Sequence, residues 1–131
     1  MSSYVFSVKS SKGFEPTVQA VTDALRQEGF GVLTTIDVQA TLKAKLGVEQ
    51  RPYRILGACN PQFAHQALQA DPDIGALLPC NVVVREEPDA TVSVVFMDPE
   101  PVLGMVARPE IAGLGREVRS RLLRVAEALR A

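Results

Sequence analysis

The sequence predicts an α+β fold: a two-layer sandwich with a largely antiparallel sheet of about five strands and helices packed on one face. Three observations carry this. Short apolar segments of strand length alternate with segments of helical spacing. Asn60-Pro61 and Asp98-Pro99 each pair a capping residue with a proline suited to the first helical turn. Glu87-Pro88-Asp89 is a turn between two strand-like runs, so at least one pair is an antiparallel hairpin, which argues against a doubly wound parallel sheet.

Each element follows in order. Tyr4 to Lys9 alternates as strand one, with Tyr4, Phe6 and Val8 on one face. Residues 10–13 turn the chain into helix one, Phe14 to Glu28, whose stripe is Val18, Val21, Ala24 and Leu25; Gly29 is a natural stop. Gly31 to Ile36 is strand two. Asp37 caps helix two, with Val38, Leu42 and Leu46 on one face and Gly47 ending it. Tyr53 to Cys59 is strand three. Helix three runs from Pro61 to about Ala70 with Phe63, Ala64, Ala67 and Leu68 inward, and Asp71-Pro72-Asp73 stops it. Cys80 to Glu86 and Thr91 to Met97 are strands four and five. A short helix follows Asp98. The last helix, Pro109 to Arg130, has the stripe Leu114, Val118, Leu122, Val125 and Leu129.

The 131 residues suit a single α+β domain over 1–131, long enough to bury a real core. Net charge is −1, with residues 108–131 carrying six arginines against three glutamates. That segment lacks the aromatics of a nucleic-acid surface, so a solvated face with local ion pairs is expected and a nucleic-acid partner is not. The first residues show no signal-peptide pattern, and no apolar run reaches the ~20 residues of a membrane span. No membrane contact is expected. Two cysteines do not make a disulfide scaffold, which points to a reducing, cytoplasmic setting.

Chemistry, if present, centres on those cysteines. Cys59 ends strand three and immediately precedes a helix N-terminus, whose partial positive charge and free N–H groups favour a thiolate. The plainer reading is a small buried hydrophobe. Cys80 opens strand four on the parity of Val82 and Val84, which favours a core position. If strands three and four are antiparallel, the two Cys-Asn pairs meet at one end of the sheet. Asn60 and Asn81 would then supply amides at the rim of a shared pocket. Two cysteines this far apart lack the close ligand pairs of a zinc site, so no metal is expected. His65 groups with Gln62, Gln66 and Gln69 on an exposed face. Asp37 and Asp98 read as caps, and Arg51 and Arg54 as surface charges or an anion contact. No phosphate-cradling glycine loop, nucleophile elbow or metalloprotease pair occurs.

Glu28-Gly29-Phe30-Gly31-Val32-Leu33, Ile36-Asp37-Val38-Gln39, Ile55-Leu56-Gly57-Ala58-Cys59-Asn60-Pro61, Leu77-Leu78-Pro79-Cys80-Asn81-Val82 and Met97-Asp98-Pro99 together resemble the prokaryotic family catalogued as domain of unknown function 302. The resemblance spans about residues 4 to 105. It implies a compact α+β domain with an antiparallel sheet and self-association as a homodimer, and it implies no established reaction.

The sequence therefore supports, first, a small-molecule or redox-linked binding module centred on Cys59, with Cys59, Asn60, Cys80 and Asn81 as ligand-binding candidates. A thiol-dependent enzyme using Cys59 and a dimeric scaffold with structural cysteines are the rival readings. It names no catalytic residue, cofactor or ligand.

Overall fold

The computed structural model describes residues 4–130. The strands β1 (Val5–Ser10), β2 (Gly31–Asp37), β3 (Tyr53–Cys59), β4 (Cys80–Glu86) and β5 (Val92–Met97) form one sheet in the order β1-β5-β4-β3-β2, and every neighbouring pair is antiparallel. The helices are α1 (Phe14–Gln27), α2 (Val38–Leu46), α3 (Pro61–Ala70), α4 (Pro99–Gly104) and α5 (Pro109–Leu129), with a 3-10 turn at Pro72–Leu77. The α+β architecture read from the sequence is the one observed.

Alternation along the strands decides where the core lies. Leu56 and Ala58 of β3, Val82 and Val84 of β4, and Val92, Val94 and Phe96 of β5 are all buried on one face. Against them pack Val21 and Leu25 of α1 and Leu122 and Val125 of α5, each essentially inaccessible. Burying such side chains contributes roughly 1.5–3 kcal/mol apiece. Phe6 stacks on Phe96 with ring centroids 5.1 Å apart. A smaller cluster of Ala67, Ile74, Leu103 and Ile111 closes one end of the core.

The helix starts are built by local chemistry. Asn60 Oδ1 accepts the Phe63 N–H at 3.1 Å, Asp37 Oδ1 the Ala40 N–H at 2.9 Å, and Asp98 Oδ1 the Glu100 N–H at 3.1 Å. Each satisfies a helix donor otherwise without a partner, a contribution of ~1 kcal/mol. The α4 and α5 backbones approach closely at Gly115, where a Cβ would lie 2.9 Å from the Pro99 carbonyl oxygen. Asp98 is buried and accepts from Arg119 Nε at 3.0 and 3.1 Å, which ties the same corner to α5.

Some expectations need correction. Tyr4 lies before β1 and is exposed. Helix α2 has the expected bounds but no fully buried residue: Val38 and Leu42 of the expected stripe are half-buried, and Leu46 at its end is 70% exposed. Of the residues expected inward on α3, Ala67 is buried and Phe63 and Ala64 half-buried, but Leu68 is 42% exposed. Residues 72–77, beyond the helix stop expected at Asp71-Pro72-Asp73, form a 3-10 turn. Arg54 is committed to Glu15 at 2.8 Å and lies over the Phe14 ring, and Arg51 is paired with Glu86, so neither is a free anion contact. Of the six arginines from residue 108 on, all but Arg116 pair with a carboxylate among the described residues, which accounts for the basic segment by local ion pairs.

The opposite face of the sheet is different. Register aligns Ser7, Val95, Val83, Ile55 and Ile36 in one row across all five strands. Val95, Val83 and Ile55 are half-buried and Ile36 is 48% exposed; none belongs to either core cluster.

Candidate functional site

Strands β3 and β4 are antiparallel, with Ala58 opposite Cys80. The end of one strand and the start of the other therefore meet at one end of the sheet, and both cysteines contribute to the wall of a single cavity there. Apart from Asn60, its remaining wall is apolar and includes Phe30, Phe63, Ala64, Leu78, Leu114 and Val118. The cavity measures about 30 Å³. That is room for one or two water-sized groups, far below the ~300 Å³ of a pocket for a drug-sized ligand.

The sequence builds this corner from four segments. Cys59 is the last residue of β3, and Asn60 turns the chain into α3, so Cys59 and Asn60 form the angle between sheet and helix. Gly29 and Phe30 lead into β2, whose first residue, Gly31, is the register partner of Cys59. Gly29 has φ +87°, a left-handed conformation that disfavours a side chain, and a Cβ there would lie 2.9 Å from Asn60 Nδ2. Arg121 of α5 locks the same edge: it donates to the Glu28 carbonyl oxygen at 3.0 Å, pairs with Glu117, and lies 5.0 Å over the Phe63 ring. Asn60 is thus the polar side chain of a largely apolar cavity wall, and Arg121 lies over Phe63 without lining the cavity itself.

Three of the four sequence candidates, Cys59, Asn60 and Cys80, come together at the cavity; Asn81 does not. It follows Cys80 in the strand, is exposed, and pairs in register with Gly57 on the face away from the core. Sequence reasoning missed Arg121 and the cavity's apolar wall. Arg121 reaches Glu28 from 93 residues away, and nothing local marks it.

The thiols are both free, Cys59 half-buried and Cys80 buried. The expected pull of the α3 N-terminus toward a thiolate is outweighed at Cys59 by burial, which pushes that thiol up from its ordinary 9.0. Burial, helped by the nearby Cys59, pushes Cys80 up to about 11. Both thiols are neutral near pH 7. The site is therefore a soft, largely apolar pocket with one half-buried and one buried thiol rather than an activated nucleophile. Among the described residues no group of three or more His, Cys, Asp or Glu side chains gathers as a metal site, and His65 lies exposed on α3.

An antiparallel five-stranded sheet with helices on one face and a cysteine-walled corner defines the class of protein. The match to the family model "Domain of unknown function DUF302" over residues 6–129 shows that the chain belongs to that family. Among solved structures it is similar to an uncharacterised conserved DUF302 protein from Bacillus stearothermophilus. The TM-score is 0.90 at 31% identity, covering 98% of this chain and all of the other. No curated protein matches the chain. Among the described residues no helix is long and apolar enough to cross a membrane.

Proposed function

We propose that this domain is a binding module whose site is the cavity walled by Cys59 and Cys80. The supporting observation is the meeting of two free thiols, from separate strands, at one small, partly open apolar cavity. A structural cysteine needs no such space; a void in a packed core forfeits dispersion contacts. The size and lining favour a ligand or thiol adduct of very few heavy atoms, soft and weakly polar, entering past Cys59. A larger ligand would have to displace Phe63 or Leu78. The side-chain amide of Asn60, in the cavity wall, would meet a polar end group. Free thiols suit a reducing compartment, and we place the protein in the cytoplasm on that ground. Self-association as a homodimer belongs to the same reading and rests on a separate observation, the apolar face of the sheet.

The test is native mass spectrometry of the gently purified protein beside the denatured chain. A small added mass that is absent from Cys59→Ser supports the reading. A bare chain in both proteins contradicts it. Turnover of a thiol-reactive substrate through a trapped Cys59 adduct would instead favour the thiol-enzyme reading.

A further inference from the structure

We infer that the two thiols of the corner cavity bind one soft monovalent metal ion between them, with Cu(I) as the member of that class a cell supplies. The inference rests on the binding-module reading of that cavity and names the ligand it takes.

Chain order brings the two donors together. Cys80 is the register partner of Ala58, and Cys59 is the next residue along β3. With strands ~4.8 Å apart and a rise of ~3.4 Å per residue, the diagonal between the two Cα atoms is about 6 Å. Both residues line one cavity of about 30 Å³. An ion held by two sulfurs at ~2.3 Å each needs them ~4.6 Å apart, a separation that two short side chains on neighbouring strands can reach.

The donor set selects the ion. Thiolates are soft donors and prefer soft cations such as Cu(I). Structural zinc takes four protein ligands, and among the described residues no group of three or more His, Cys, Asp or Glu side chains gathers. Calcium and magnesium need several oxygen ligands, and beside the thiols the wall offers one polar side chain, Asn60. The wide cysteine spacing that argues against zinc does not bear on a two-sulfur site, which needs no close ligand pair. A covalent adduct would use one thiol and leave the other without a role. A disulfide would draw the sulfurs together and leave the space empty. A bridging ion uses both thiols and the space.

Charge balances without an oxidant. Each thiol releases its proton to water, two metal–sulfur bonds replace two S–H bonds, and no electron moves. The site gains one net negative charge. Helix α3 begins at Pro61, directly after Cys59 and Asn60, and its N-terminus favours negative charge at that place.

Anaerobic titration of the full chain with the coloured Cu(I)–bicinchoninate complex tests the inference. The wild type is expected to withdraw one copper per chain, to show that ion by native mass spectrometry, and to hold both thiols against alkylation. Zn(II) is expected to protect neither thiol. Even an outer partner of a metal is worth ~10–100-fold in affinity, so Cys59→Ser and Cys80→Ser are each expected to bind Cu(I) at least ~100-fold more weakly. Cys59 is the less buried of the two, so Cys59→Ser keeps the test valid if circular dichroism shows Cys80→Ser unfolded. Copper held as tightly by Cys59→Ser, protection of one thiol only, equal protection by Zn(II), or one copper shared between two chains overturns the inference. A wild type that takes no copper overturns it as well. If that wild type still carries another small mass that Cys59→Ser lacks, the ion falls and the cavity reading stands. A chain bare in both measurements sinks both.

Discussion

At the scale of single residues the two thiols differ by burial, and that difference has measurable consequences. Cys80 is both less accessible and more strongly shifted than Cys59, so a thiol-directed alkylating reagent is expected to modify Cys59 first in the folded protein. Peptide mass mapping over time reads the order; equal rates, or Cys80 first, contradict it. The raised Cys80 value also makes a stability statement. The folded thiol titrates near about 11 and the unfolded one near 9.0. Below pH 9 both states hold the proton and the contribution is fully present. Between these values only the unfolded state has lost its proton, so stability falls as pH rises. The loss is on the order of 2–3 kcal/mol once pH passes the folded value. Urea unfolding at pH 8.5 and 10.5 should show this fall, and Cys80→Ala should reduce the slope even though it lowers stability at both pH values. An unchanged slope contradicts the burial described here.

At the scale of elements the most local features do the most identifiable work. Asn60→Ala removes the α3 cap and is expected to cost ~1 kcal/mol. Gly115→Ala pushes a methyl against the Pro99 carbonyl, a backbone atom that cannot swing aside, and is expected to cost roughly 1–3 kcal/mol. Thermal melts of both variants check these effects, and a melting temperature equal to wild type in either contradicts the geometry assigned to it. The same locality explains what the sequence revealed. The caps at Asp37, Asn60 and Asp98 and the stops at Gly29 and Gly47 depend on neighbours a few residues away, so they were legible. The exposure of Leu46 and Leu68 was not, because a stripe of apolar spacing says that a helix has a face and not whether anything covers it. The position of Asn81 was legible in principle: adjacent residues in a strand point to opposite faces, so Cys80 and Asn81 could not both enter one pocket. The elevation of the Cys59 thiol was not legible, since a helix start is written in the sequence and the depth of burial beside it is not.

At the scale of the whole molecule, chain order sets the site. Antiparallel pairing of β3 with β4 returns Cys80 to the end of the sheet where Cys59 stops, and α3 with the 3-10 turn spans the interval between them. Packing of α5 across that corner supplies Leu114 and Val118 to the cavity wall and lays Arg121 over the Phe63 ring. The sheet is then left with two unlike faces, one holding the core and the cavity, the other an apolar row. Binding at the cavity is the central claim, and filling the cavity tests it most directly. Ala64 lines the cavity from α3, and Ala64→Leu would occupy the space while leaving both thiols in place. Native mass spectrometry should find the small added mass on the wild-type protein and none on Ala64→Leu, with circular dichroism of the two proteins alike. A bare wild-type chain, or an added mass that persists in Ala64→Leu, would contradict the account.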